Sequence, residues 1–304
     1  MLLVPTVLLA LAFGLVACGG DEGDEGGTAE GQTAAEKAAS ILGHEPAGLA
    51  KIIVDRGYLV VANDPNYAPQ SSINKETGEL EGFDVDVAKL VGEALGLEIR
   101  FENPKWDSVI PGLQAGAETG SKWNVSIGSM TVTPDRAKAV DFTDPYYYAQ
   151  GQMLVRQGSP KITTIEELKG KTIGVGAQTT YQYFLDAVGG VNIRSYDTDL
   201  DAFPVLENGG LDGVMTADLT ASEAISSGKP FELSGKPFYY EPLAFAIAKD
   251  QPDLLALLNY SIKWMRDNGK LTEASKKWYH GFDVTAEPAS GVPSYDEVMA
   301  QLQS

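Results

Sequence analysis

The stretch Asn124 to Tyr148, NVSIGSMTVTPDRAKAVDFTDPYYY, joins an apolar strand, an anion-ready helix start and a run of aromatic residues. Val125 and Ile127 mark the strand, which opens into Gly128, Ser129 and Thr131, small residues whose backbone N–H groups and hydroxyls are expected to be free to donate. Thr133 is placed as an N-cap with Pro134 at the first helical position. A helix start carries unsatisfied donors and partial positive charge, and Arg136 adds a planar fork that can hold both oxygens of a carboxylate. The chemistry these residues suit is capture of a free α-carboxylate. The plainer alternative for Arg136 is a surface pair with Asp135 or Asp141.

This run resembles the signature of the family 3 extracellular solute-binding proteins, the polar amino-acid receptors of ABC importers. In that family a strand, a G/S-x-T-x-T-x-x-R turn and an F-[ST]-x-P-Y-Y segment recur, and the resemblance extends over roughly Leu49 to Phe282. It implies roles for residues elsewhere. An acid and, three residues later, an aromatic line the family's side-chain pocket, which here are Asp64 and Tyr67 in the loop Asn63–Pro69. Trp106 falls where the family stacks an aromatic on the opposite face of the ligand. A Tyr67/Trp106 sandwich would add about 1–2 kcal/mol of cation–π attraction for a cationic ligand, with Asp64 pairing its distal charge.

In the run Gly176-Ala177-Gln178-Thr179-Thr180, Thr180 is expected to cap a helix and donate to the ligand carboxylate, although Gln178 stands where the family usually has Gly. The resemblance implies that the acid receiving the ligand's α-ammonium follows the strand Asp212–Met215, where strict spacing lands on Ala217. Asp218, one residue later, and Glu241 are rival acids, one of which should serve because a buried ammonium cannot be left unpaired; of the two, Asp218 is preferred.

The elements that must position these groups follow from periodicity. Leu59 to Val61, a helix with Phe83, Val87, Leu90, Val91 and Ala94 on one face, and Ile99 to Phe101 give a βαβ rhythm that restarts at Met153 to Val155, Thr172 to Val175, Ile193 to Tyr196 and Gly213 to Met215. The reading is α/β, with two lobes, each a mainly parallel sheet flanked by helices. The resemblance implies the type II periplasmic-binding-protein fold with two hinge crossovers, near Asp144 to Gln152 and near Tyr239 to Leu243. Expected boundaries are 49–146 with 244–283 for lobe 1, 147–243 for lobe 2 and 284–304 for a C-terminal extension in which Tyr295, Val298, Met299 and Leu302 can form a short packed helix.

The formal charge of 23 minus 42, or -19, argues against nucleic acid and against docking to anionic lipid through a basic surface. Leu2 to Val16 is apolar but short for a membrane span, and Leu15-Val16-Ala17-Cys18 looks like a bacterial lipobox. Residues 1–17 read as a signal peptide, Cys18 as a lipidation site and 18–48 as a flexible tether, given the poverty of large apolar groups there. No His/Cys cluster or phosphate-binding glycine motif appears, so neither a metal nor another cofactor is expected.

The resemblance therefore implies a monomeric, lipid-anchored, extracytoplasmic receptor that closes two lobes on a polar amino acid and delivers it to a membrane permease. Arginine, lysine, histidine and glutamine are the candidate ligands, a basic one being favoured by Asp64. The alternative is an extracytoplasmic cyclohexadienyl or arogenate dehydratase-like enzyme on the same fold, which would need a placed general acid such as Asp218 or Glu241.

Overall fold

The computed structural model describes residues 32–288 and 291–304; the expected signal peptide, Cys18 and the first part of the tether lie outside them. Among the described residues, no helix is long and apolar enough to cross a membrane.

Folded chain begins before Leu49. Helix α1 (Ala34–Leu42) opens with a capping box in which Thr33 Oγ1 accepts from Glu36 N at 3.2 Å and Glu36 Oε2 accepts from Thr33 N at 2.9 Å. Composition places residues 33–48 in the tether, and the structure corrects this. Alanine loses no side-chain entropy in a helix, and Ala38, 2% exposed, joins the main core with Ile41 and Leu42 packed against it. Asp253 fixes the turn into α2 (Gly48–Arg56), accepting from His44 Nε2 at 3.1 Å and Ala47 N at 2.8 Å.

Strand β1 (Tyr58–Ala62) leads into a small antiparallel sheet of β2 (Asn66–Tyr67), β3 (Ser71–Ile73) and β4 (Leu80–Glu81). Helix α3 (Phe83–Leu95) buries Phe83, Val87, Val91 and Ala94 along the face expected from their spacing. Then come β5 (Glu98–Glu102), α4 (Val109–Gly116) and β6 (Val125–Thr131), with β1 paired in parallel to both β5 and β6.

Strand β7 (Val140–Arg156) is 17 residues long. It is followed by α5 (Ile165–Leu168), β8 (Thr172–Gly176), α6 (Thr180–Val188), β9 (Asn192–Tyr196), α7 (Asp199–Glu207), β10 (Gly213–Ala217), α8 (Asp218–Ser226) and β11 (Phe231–Leu233). Here β8 lies in parallel between β10 and β9. Strand β12 (Tyr239–Ala248) then returns antiparallel to β7, from Tyr239 opposite Gly151 to Ala248 opposite Val140. Helices α9 (Pro252–Asp267) and α10 (Lys270–Trp278) pack back on α3.

The two parallel groups attach at opposite ends of the β7/β12 pair. Strand β6 meets β12 over Leu243 to Ile247, whereas β10 meets β7 over Gly151 to Leu154. The fold is thus two α/β lobes joined by two crossing strands, and the C-terminal ends of β1, β6, β8 and β9 look toward the junction, where open α/β sheets bind ligands. The last segment runs beside both crossing strands: Tyr148 N donates to Val284 O at 3.0 Å and Tyr240 N to Pro293 O at 2.9 Å, before helix α11 (Tyr295–Leu302).

One expected element does not form. Thr133 and Pro134 do not open an α-helix; Arg136–Lys138 is a three-residue 3-10 turn, with Thr133 Oγ1 accepting from Arg136 N at 3.2 Å. The chain must enter β7 at Val140, which leaves room for one turn, so no helix dipole supports a ligand there.

Candidate functional site

A cavity lies at the junction of the lobes. The first lobe and its crossing segments contribute Asp64, Tyr67, Trp106, Gly128, Ser129, Thr131 and Arg136; the second contributes Thr179, Thr180, Tyr181, Asp197 and Asp199, and Glu241 of β12 completes the wall. The cleft is closed. Lys105 Nζ reaches Asp197 Oδ2 at 3.0 Å, and the carbonyl of Gln178 accepts from both Trp106 Nε1 and Arg136 Nη2, each at 3.2 Å.

Arg136 forms none of the surface pairs that its position allows. Asp135 is held by Lys138 at 2.6 Å and Asp141 by Lys249 at 2.6 Å. Instead the half-buried guanidinium lies 5.2 Å from the centroid of the Trp106 ring, and its Nη1 donates to Thr131 O at 3.1 Å. Burial pulls its pKa down, and the nearby Glu241 carboxylate opposes this. Among the described residues no carboxylate neutralises it within ion-pair distance, so its remaining N–H donors can meet a ligand anion.

The hydroxyls expected to be free donors are engaged. Thr131 Oγ1 and Thr180 Oγ1 each donate to Glu241 Oε2 at 2.7 Å, one from each lobe. Thr180 is free to do so because Thr179 is the cap of α6, accepting from Gln182 N at 3.2 Å. Ser129, at φ +56°, donates its hydroxyl to Asp84 Oδ2 at 2.7 Å and its N–H to Tyr146 OH at 3.0 Å. The donors left on the wall are the remaining N–H groups of Arg136 and the backbone N–H groups of Thr180 and Tyr181, which have no intrahelical acceptor.

Asp84 belongs to the support of the cavity. It is fully buried in the first turn of α3, accepts from Tyr146 OH at 2.6 Å, and burial pushes its carboxyl up to about 7 against the lowering effect of the Tyr146 and Ser129 hydroxyls. Tyr147 OH donates to Ser129 Oγ at 2.7 Å, so the aromatic run of β7 holds the β6 end in place.

Asp64 accepts from Asn66 N at 3.0 Å and Asn66 Nδ2 at 3.2 Å; burial raises its pKa, and Asp197 and Asp201 add to the rise. Gln178 adopts φ +59°, the left-handed region a glycine would take without cost, and its N–H is held by Gln182 Oε1 at 2.8 Å. Asp218 is not on the cavity wall. Its carboxylate accepts from Gln150 N at 2.9 Å and Gln150 Nε2 at 3.0 Å, and burial raises it to about 6. Sequence reasoning missed Asp84, Tyr181, Asp197 and Asp199. Only Asp197 and Asp199 carried a signal, as acids just past the end of a parallel strand.

Residues 59–281 match the family model for bacterial extracellular solute-binding proteins, family 3. The chain is a family 3 solute-binding protein. Among its relatives, the L-cystine-binding protein TcyJ of Escherichia coli K12 is 32% identical over 241 residues, 78% of this chain and 88% of TcyJ. An ancestral arginine-binding protein solved with arginine bound aligns at TM-score 0.69 and 32% identity, over 74% of this chain and 99% of its own. The ancestral amino acid-binding protein AncCDT-1, a precursor of cyclohexadienyl dehydratase, aligns at TM-score 0.69 and 32% identity, over 77% of this solute-binding protein and all of AncCDT-1 (100%).

Proposed function

We propose that this solute-binding protein captures a polar amino acid between its two lobes and presents it to the permease of an ABC importer. The observation that carries the reading is Arg136, a cation with no carboxylate partner among the described residues, set on the wall of a closed cavity and stacked on Trp106. It would meet the α-carboxylate, while Tyr67 and Trp106 pack the body of the ligand. Asp64, with burial already disfavouring its charge, would pair with a basic side chain, which favours arginine, lysine or histidine over glutamine. Relatives named for cystine and arginine support an amino acid as the class of ligand.

The domain division 49–146 with 244–283 against 147–243 is proposed as the pair of bodies that open and close. Lipid attachment at Cys18 would hold the monomeric receptor at the outer face of the membrane. It acts by binding alone. The likeness to a dehydratase precursor supports this reading too, since that precursor is itself named an amino acid-binding protein.

The test is calorimetric titration of the purified chain with the common amino acids, L-cystine and agmatine, alongside incubation with prephenate and arogenate. Binding of a basic amino acid and no aromatic product are expected. Absence of binding to every amino acid, or turnover of either acid, would sink the reading.

A further inference from the structure

The resemblance to the family implies an acid for the α-ammonium at a position that is alanine in this chain, and the structure places two other acids on the cavity wall. Position 217, where spacing calls for the acid, is a fully buried alanine that caps α8 and does not line the cavity. Beside it stands Asp199. The Asp199 Oδ2 accepts a hydrogen bond from Thr216 Oγ1, the residue immediately before Ala217, so a carboxylate from the first turn of α7 arrives next to that position. Asp199 is 2% exposed, lines the cavity and has no cation within ion-pair distance among the described residues. Gly176 makes room for it: a Cβ there would come within 2.7 Å of Asp199 Oδ1.

Glu241 lies on the same cavity wall, 1% exposed. Both of its protein donors, the Thr131 and Thr180 hydroxyls, use Oε2, and Oε1 accepts no hydrogen bond among the described residues. Two buried carboxylates with no cation within ion-pair distance among the described residues are costly, and the cost is reduced when a cation arrives between them. Burial raises Asp199 to about 6, and the Glu241 charge adds to the rise, as expected for acids facing one space.

We propose that Asp199 and Glu241 together form the subsite for the ligand's α-ammonium, taking over the role of the acid missing at Ala217. This rests on the amino-acid reading and sharpens it: the site demands an α-ammonium and meets it with two acids, one from the start of α7 and one from β12. Asp218, bonded to Gln150, takes no part.

The test compares each amino acid with its deamino analogue by calorimetry on the full chain at pH 7.5: L-arginine with 5-guanidinopentanoate, L-glutamine with 4-carbamoylbutanoate, L-histidine with 3-(imidazol-4-yl)propanoate. For the pair whose amino acid binds, the analogue should bind at least about 100-fold more weakly, a gap appropriate to a lost buried charge pair. D199N and E241Q should each narrow that gap by about tenfold or more, mainly by weakening the amino acid, while D218N leaves it unchanged. Gly176→Ala should act like D199N, by displacing the carboxylate. A melting temperature for D199N no lower than that of the wild type, the amide oxygen still accepting from Thr216, would show that the fold is intact. A gap that survives both D199N and E241Q, or that collapses in D218N, overturns the proposal while leaving the receptor reading standing. Binding of none of the amino acids overturns both.

Discussion

Arg136 and Gln178 tie the two lobes together across the cleft: Arg136 Nη2 donates to the Gln178 carbonyl at 3.2 Å while its Nη1 holds Thr131 O of its own lobe at 3.1 Å. A single guanidinium thus ties the lobes and, on the proposed reading, also meets the ligand's carboxylate, because its planar fork presents donors in more than one direction. Lysine keeps the charge but not the fork. Arg136→Lys should weaken amino-acid binding by about 100-fold, or 2–3 kcal/mol, while shifting the melting temperature of the unliganded protein little. Calorimetry and thermal denaturation of the same preparation separate the two effects, and equal affinity in the variant would remove Arg136 from the ligand.

The partner in that tie is strained. Gln178 sits at φ +59°, and a residue with a Cβ in the left-handed region costs about 1–2 kcal/mol relative to its preferred conformations. Its N–H is held by Gln182 Oε1, and its carbonyl by Trp106 and Arg136, so these backbone bonds need no glutamine side chain. Gln178→Gly should therefore stabilise the protein by about 0.5–1 kcal/mol, after the larger backbone entropy of glycine in the unfolded chain is subtracted. Urea denaturation gives the difference directly; a loss of stability would mean that the glutamine side chain supports the loop.

Buried acids set the pH response. Burial raises Asp84, Asp199 and Asp218 to about 7, 6 and 6, from an ordinary value of 3.8. The folded state therefore holds protons more tightly than the unfolded chain. The stabilisation this gives is fully present below about pH 4 and is lost as pH rises through 6 to 7. For Asp84, faced by Tyr146, Tyr147 and Ser129 and by no cation, the loss between pH 5 and pH 8 is on the order of 2–3 kcal/mol. Unliganded protein should melt at a lower temperature at pH 8 than at pH 5, and Asp84→Asn should flatten that difference. A variant with the same pH slope as the wild type would exclude Asp84 as its source.

Much of the fold was legible because periodicity reports burial, and burial in parallel sheets is nearly all apolar: β1, β8 and β10 stood out as runs, and α3 as a face. Asp64, Tyr67 and Trp106 could be singled out through the resemblance to the family, Arg136 through its place in the signature run and Glu241 as an acid in the second crossover, and all five line the cavity. The remainder was hidden for physical reasons. Asp84 reads as an ordinary first-turn acid, and only its contacts with Tyr146 and Ser129 distinguish it. Asp199 is masked by the capping pattern of Thr198 and Asp201. The turn after Thr133 has a helix-start sequence, but Val140 must enter β7, and chain connectivity overrides local preference. The alanines of α1 carry too little apolar surface to announce a packed helix, yet a capping box and one good contact face are enough.

The C-terminal extension is the remaining element with a measurable role. Tyr295 is 6% exposed, and its ring stands 5.2 Å from that of Tyr239, edge to face at 69°. Tyr239 begins the returning crossover strand, and the adjoining Tyr240 N–H is bonded to Pro293 O, so α11 is fastened to the hinge itself. Removing a buried ring of this size costs about 3–5 kcal/mol in a core. Tyr295→Ala should approach the lower end of that range, since α11 lies at the edge of the fold and its neighbours can relax. The Tyr295 hydroxyl makes no hydrogen bond among the described residues, so Tyr295→Phe should cost less than about 1 kcal/mol. Chemical denaturation of the two variants decides the matter. If alanine is tolerated as well as phenylalanine, the extension is an appendage; if the cost of alanine appears in the single cooperative transition, it is part of the hinge.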